Sequence, residues 1–498
     1  MEAATESIRP FLAIIVSMLA IPLIVASGEK RPNLREAWTL IAATIKAGLV
    51  FSMLPAVLAG ETFTCRLLEI SPGVALELEA DPLGMIFAIV ASTLWLLTSF
   101  YSIGYVRGAG EHKQTRYFAS FALCLSATIG ISFAANLLTF FVFFETLTLA
   151  TYPLVLHKET EEAKAGARKY LCYTLPAGLA LLTAIAITWG LAGTMDFRAG
   201  GILNGSMATT GQLRILFVLF ILGVGVKAGL MPIHSWLPAA MVAPTPVSAL
   251  LHAVAVVKAG VFGVLRVTGF VFGPELLGDL GTGTALAWIA GITLTMASLL
   301  AMKQDNLKRR LAYSTVGHLS YIVLGAALIN AWSWTGATLH LMFHATMKIT
   351  LFFCAGAIYV RTHKVNISDM VGIGRQMPFT MTAFAIGSLG LAGIPGINGF
   401  VSKWGLASGA VAAEQPIFLG LLVLSGILNA AYFFPIVHQA FFKQNDAFPR
   451  LGEASPLMVA PLCVTAALSL LLGVAPNIGI HAWELANLTA RAVTGGAI

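Results

Sequence analysis

Residues 225–260 read GVKAGLMPIHSWLPAAMVAPTPVSALLHAVAVVKAG. The stretch is apolar enough for the hydrocarbon region of a bilayer, yet it holds Lys227, His234, His252 and Lys258. A charged side chain at the centre of a membrane helix costs at least about 2.5–3.5 kcal/mol, so such residues persist where they are paired, line water or carry function. Pro232 lacks a backbone N–H and predicts a helix broken just after Lys227. Breaks at membrane depth are tolerated where they border protein or water, and they mark ion paths in transporters. Pro244 and Pro246 set the start of the next helix. On it His252 and Lys258 lie six residues apart and project in different directions, as consecutive stations rather than one pair. Arg266, near its end, reads as an interfacial anchor.

Composition agrees. Hydrophobic residues make up 57% of the 498 positions and charged residues 11%, against roughly a quarter charged in soluble chains. So little charge leaves most of the surface to face lipid. The net charge of +7 comes from small basic clusters between apolar runs, without aromatic interleaving. That pattern sets topology and excludes a nucleic-acid footprint. The cysteines (Cys65, Cys124, Cys172, Cys354 and Cys463) stand singly. No CxxC or Cys/His cluster is present, so neither disulfides nor a metal site is expected. No GxGxxG after a strand and no haem or flavin signature occurs, so no cofactor is expected either.

Apolar runs predict an all-α polytopic membrane protein of about fourteen helices, at 10–27, 38–59, 83–105, 117–134, 136–156, 170–193, 214–238, 245–270, 284–302, 309–330, 335–360, 379–408, 417–442 and 456–475. The first reads as an uncleaved helix, because a poor basic segment precedes it. Nineteen of the thirty Lys and Arg fall in loops after odd-numbered helices. By the positive-inside rule these loops are cytoplasmic, and both termini lie across the cell (inner) membrane. The longest polar connections, near 60–81, 193–213 and 361–378, are too short for a soluble domain.

Three more positions stand out. Glu145 is the acid in the middle of LLTFFVFFETLTLATYPL. Burial favours the neutral amine of a lysine and a nearby carboxylate favours the ammonium, so Glu145 beside Lys227 is an expected tunable pair. His340, His344 and Lys348 recur every four residues and stack on one helix face. No third ligand at metal spacing accompanies the two histidines, and a row of titratable groups is what a proton wire needs. Lys403 follows Pro395 and Gly396 in GIPGINGFVSKW, a second broken helix. The seventh and twelfth helices, each broken and each with a buried lysine, lie five helices apart. That predicts two inverted repeats, helices 4–8 and 9–13. The chain divides as 1–112, 113–270 (first repeat), 271–445 (second repeat) and 446–498. For each charge the plain alternative is a structural hydrogen bond or a side chain snorkelling to an interface.

FFETLTLATYPL (143–154), the 225–260 stretch, DNLKRRLAYSTVGHLSYI (305–322), HLMFHATMKITLFFCAG (340–356) and GIPGINGFVSKW (393–404) resemble the antiporter-like subunits of respiratory complex I and of Mrp-type multisubunit cation/proton antiporters. The resemblance spans helices 3–14. It implies that the family's buried glutamate is Glu145, its broken-helix lysine Lys227, its central stations His252, Lys258, His344 and Lys348, and its exit residue Lys403. Size, Lys403 and residues 424–442 look most like the D-type polypeptide of Mrp antiporters, with complex I-like machines or membrane-bound hydrogenases as the alternative. Either way the resemblance implies partner membrane subunits, and protons with Na⁺ as the transported ions. A standalone secondary transporter is the reading of a different class.

Overall fold

The computed structural model describes residues 3–445, 448 and 450–496. A short strand β1 (Ala3–Glu6) precedes helices α1 (Arg9–Ser27) and α2 (Pro32–Leu58). Strands β2 (Glu61–Ser71) and β3 (Val74–Ala80) then form a hairpin, and β1 adds to it in parallel. The connection at 60–81 is therefore a three-stranded sheet rather than a plain polar loop. Alternation such as Val74-Ala-Leu-Glu-Leu-Glu-Ala80 suits a sheet buried on one side.

Helices follow as α3 (Pro82–Gly108), α4 (Gln114–Ser132), α5 (Leu137–Val155), α6 (Glu161–Ala192), α7 (Thr210–Ala228) and the single turn α8 (Trp236–Ala239). Next come α9 (Thr245–Ala249), α10 (Val256–Arg266) and α11 (Gly273–Leu280), joined through π-helical turns at Leu250–Val254 and Val267–Phe272 into one run. The remainder is α12 (Thr282–Met302), α13 (Leu307–Ala327), α14 (Ala331–Thr362), α15 (Pro378–Ala392), α16 (Asn398–Ala412), α17 (Pro416–Phe442), α18 (Pro456–Val474) and α19 (Ala482–Thr494). Each stretch expected to be helical is helical, with shifted ends. Polar residues start several of them. Asp81, Asn136, Thr160 and Asn306 each accept an N–H from the first turn, which satisfies donors that lipid cannot.

Among the described residues eleven helices are long and apolar enough to cross a membrane. Leu149, Leu179, Ile215, Ile292 and Ile427 are exposed on their outer faces. An apolar belt of this kind faces lipid, and the chain is an integral multi-pass membrane protein. Two elements are different: the most apolar stretches of Thr245–Leu280 and of α14 are wholly buried. They form the centre of the molecule, and they carry His252, Lys258, His340, His344 and Lys348.

Two parts of the chain place their elements at one spacing. α5 and α13 start at Leu137 and Leu307 behind the capping Asn136 and Asn306. α6 and α14 are both 32 residues long, starting at Glu161 and Ala331. Asn136 bridges to Asp196 and Asn306 to Asn366. Every correspondence is an offset of 170 residues.

Candidate functional site

α7 stops at Ala228, where Gly229 takes φ +71°. The carbonyls freed by the break find donors. Leu230 N–H bonds Gly225 O (3.1 Å), while Gly229 N–H (3.1 Å) and the Trp236 indole (2.8 Å) bond Val226 O. Lys227 stands in this last turn, where the helix dipole favours a cation. Its Nζ donates to Phe144 O at 2.6 Å and lies 3.4 Å from the centre of the Phe144 ring. Lys227 precedes its break, whereas Lys403 follows its own.

Glu145 is one residue from that contact but does not share it. Successive helix residues point about 100° apart, so Phe144 faces α7 while the Glu145 carboxylate turns to α6. There Gly178 leaves it room: a Cβ on Gly178 would lie 2.8 Å from Oε1. Among the described residues no cation comes within 4 Å of this carboxylate, and Oε1 is buried without a hydrogen bond. The expected Glu145–Lys227 pair is thus an adjacency through residue 144 rather than a salt bridge.

The segments bearing Lys227 and Lys258 touch. A Cβ on Gly260 would lie 2.2 Å from Ala228 N and 2.4 Å from the carbonyl carbon of Lys227, so only glycine permits this approach. Lys258 Nζ lies 2.9 Å from His344 Nδ1, which joins α10 to α14. His252 also faces α14, with its ring 5.2 Å from that of Phe352, and both its nitrogens are buried without partners. It sits in the π-helical turn, a distortion frequent at functional sites.

On α14 the histidine row holds and gains a member from α13. His318 Nδ1 lies 3.1 Å from His340 Nε2, and its ring centre is 5.3 Å from that of His344. The neighbours assign the tautomers. Asn429 Nδ2 donates to His318 Nε2 (3.2 Å), so the proton of a neutral His318 is on Nδ1 and is given to His340. His340 then donates from Nδ1 to Ser402 Oγ (2.8 Å). Lys348 Nζ donates to Ser314 Oγ (2.8 Å), and the Tyr432 hydroxyl bonds both Ser314 Oγ (2.9 Å) and Asn429 Oδ1. Asn429 also donates to Leu391 O (3.2 Å). That carbonyl ends α15 and accepts Lys403 Nζ at 2.6 Å, with Ala392 O at 3.1 Å. Lys403 therefore caps the negative end of the first half of its broken helix, under the ring of Tyr321 (5.0 Å).

The structure thus brings Lys258, His344, His340, Lys348 and Lys403 into one buried constellation spanning α10, α13, α14, α16 and α17. It leaves His234 apart: half-buried, 6.2 Å from the Tyr313 ring, with Nδ1 unpartnered. Arg266 corrects the sequence reading. It is no interfacial anchor but a buried cation, gripped by Asp81 through two 2.7 Å bonds and surrounded by Phe197, Phe262 and Phe270. Its partner lies 185 positions away, at the start of α3.

Sequence reasoning passes over Ser314, His318, Ser402, Asn429 and Tyr432. His318 carries the same signal as His252, a lone histidine in an apolar helical run. The others are single polar residues of a kind that membrane helices hold for many reasons. Lys308 falls in a loop by apolar run length. It lies instead in the first turn of α13, with Nζ on Ala243 O (2.6 Å), beside a cavity of about 380 Å³ lined by Tyr105, Lys158, Thr160 and Thr245.

Residues 134–428 match the family model described as NADH:quinone oxidoreductase/Mrp antiporter, TM. NADH-quinone oxidoreductase subunit N of Desulforudis audaxviator is 30% identical over 90% of this chain and 89% of its own length. A Na(+)/H(+) antiporter subunit A1 of Staphylococcus aureus is 30% identical over 82% of this chain, which spans about half (53%) of that longer protein. A chain of the Mrp complex from Dietzia sp. superimposes with a TM-score of 0.84 at 20% identity, covering 98% of this chain and 97% of that one. A chain of an archaeal membrane-bound sulfane sulfur reductase does so with the same score at 22% identity, over the same shares. At such identities these two establish a shared fold. The family match and the near full-length relative settle the rest: the chain belongs to the NADH:quinone oxidoreductase/Mrp antiporter transmembrane family.

Proposed function

We propose that this chain is the proton-translocating subunit of a multisubunit monovalent cation (Na⁺)/proton antiporter of Mrp type. The observation that carries the reading is the buried run of hydrogen-bonding groups from Lys258 to Lys403, set in apolar helices at the centre of the molecule. Protons enter through the cavity beside Lys308 and Thr245 and reach the centre near His252. They pass along the Lys227–Lys258–Lys348 axis and leave at Lys403. Glu145 tunes Lys227 from the position next to Phe144 on α5. Asn429 carries no proton; it holds His318 in the tautomer that donates to His340.

The fourteen expected helices include α4, α13 and the α15–α16 pair beside the eleven apolar spans. The common offset of 170 residues supports two repeats, 113–270 and 271–445, inverted because five helices separate them. The chain sits in the cell membrane with its basic loops cytoplasmic and both termini outside. Further membrane subunits complete the complex. A second reading has a specific observation behind it: the Desulforudis audaxviator relative is matched over nearly its whole length, which favours a redox-driven complex I-like assembly.

The test is transport by the purified complex in vesicles. A Na⁺ pulse that dissipates a preset ΔpH supports antiport. Proton movement driven only by an electron donor overturns it in favour of the second reading. Activity of this chain alone supports a standalone transporter and overturns both. Glu145→Gln should impair transport without loss of assembly.

A further inference from the structure

Glu111 and His112 lie in the connection between α3 and α4, and His157 follows α5. Their donor atoms, one from each residue, all lie within 4.8 Å of one another. The sequence gives no hint of this, because 45 residues separate the two stretches. His157 is fully buried, yet both ring nitrogens lack a hydrogen-bond partner. A buried imidazole without partners forgoes about 1–3 kcal/mol, so its isolation calls for a ligand. The Glu111 carboxylate is only 8% exposed and lies 3.7 Å from His157 Nε2. That is too long for a hydrogen bond. It is close to the ~3.4 Å that separates two ligands placed tetrahedrally at about 2.1 Å from one ion. His112 closes the third side from the surface, its ring centre 5.1 Å from that of His157.

The neighbouring cations are engaged elsewhere. Lys113 Nζ and Arg116 Nη1 both bind Glu159 at 2.7 Å, and Arg116 Nη2 donates to the backbone carbonyl of His157 (3.2 Å). That last bond fixes the His157 backbone and leaves the ring free.

We propose that Glu111, His112 and His157 form a site for a zinc-class divalent cation. Two imidazoles and one carboxylate are the donor set that borderline-soft ions prefer over Mg²⁺ or Ca²⁺. Three protein ligands leave a fourth position open to solvent beside the exposed His112. The ion staples the α3–α4 connection to the end of α5, the helix that carries Phe144 and Glu145.

The experiment uses the assembled complex, stripped with chelator, incubated with Zn²⁺ and desalted. Metal content is counted for the wild type, His112→Ala and Glu111→Gln. His157→Ala is a further arm, but its buried position puts folding at risk; His112 is exposed, and its variant is expected to fold. The proposal predicts one fewer tightly held Zn²⁺ in each variant, because each removes a ligand of a three-ligand site. X-ray absorption of the wild type should show nitrogen and oxygen neighbours at about 2.0–2.1 Å, a signal diminished in His112→Ala. Equal zinc content in the wild type and His112→Ala, or no zinc retained by either, overturns it.

Discussion

Lys258 Nζ and His344 Nδ1 lie 2.9 Å apart at the centre of the protein, on helices buried along their apolar stretches. Among the described residues no carboxylate comes within 4 Å of this lysine. His344 offers this lysine a nitrogen base across the hydrogen bond, so a proton can pass between the two groups. His344→Leu removes that base and leaves Lys258 without its partner. We expect transport to fall about tenfold or more, the effect of as little as ~1.4 kcal/mol on a barrier. Vesicle transport rates normalised to assembled complex check this; an unchanged rate contradicts the link.

His318 separates a wire from a scaffold. His318→Gln can keep hydrogen bonds to Asn429 and His340, but an amide does not titrate. If His318 only braces α13 against α14, the glutamine variant transports normally and is as stable as the wild type. The proton-path account predicts a stable complex with transport down about tenfold, and comparing melting temperature with transport distinguishes the two.

Gly178→Ala puts a methyl group 2.8 Å from Glu145 Oε1. Alanine favours a helix interior over glycine by about 1 kcal/mol, so the variant should assemble well. The displaced carboxylate should nevertheless change transport several-fold and shift its pH optimum. A transport profile matching the wild type shows that the position of Glu145 does not matter.

The Arg266–Asp81 pair is structural. Arg266→Met leaves the Asp81 carboxylate, only 13% exposed, without its cation and should cost about 3–5 kcal/mol or somewhat less, because one partner of a largely buried pair is then uncompensated. Adding Asp81→Asn should restore much of the loss, since asparagine can still cap α3. Thermal unfolding of the single and double variants in detergent measures the recovery. No recovery refutes the pairing as the cause.

Much of this molecule is legible in its sequence because lipid leaves a chain few options. Apolar run length gives the helices, and Pro232 and Pro395 mark the breaks. Spacing of four points to His340, His344 and Lys348 on one helix face, whereas Lys258, offset by six from His252, rests on the family resemblance. What spacing cannot give is the partner across an interface. Arg266 reads as a surface anchor because Asp81 lies far away in sequence. That Glu145 neighbours Lys227 is legible as a buried acid and a buried lysine; that they make no direct contact is not, because helix phase, which turns Phe144 rather than Glu145 toward α7, is set by packing. Asn429 and Tyr432 escape notice because one polar residue in a membrane helix is uninformative until its neighbours are known. The hairpin at 61–80 escapes notice because it falls in a short polar stretch whose weak alternation is outweighed by the helices beside it.

The central claim is that protons cross between the two halves through Lys258. Lys258→Met keeps the stem's volume and removes the amine. The decisive measurement is proton transport in vesicles by the assembled complex carrying this one change, alongside its subunit composition. The account predicts normal composition with transport at about a tenth of wild type or below. Normal composition with the wild-type rate would contradict it.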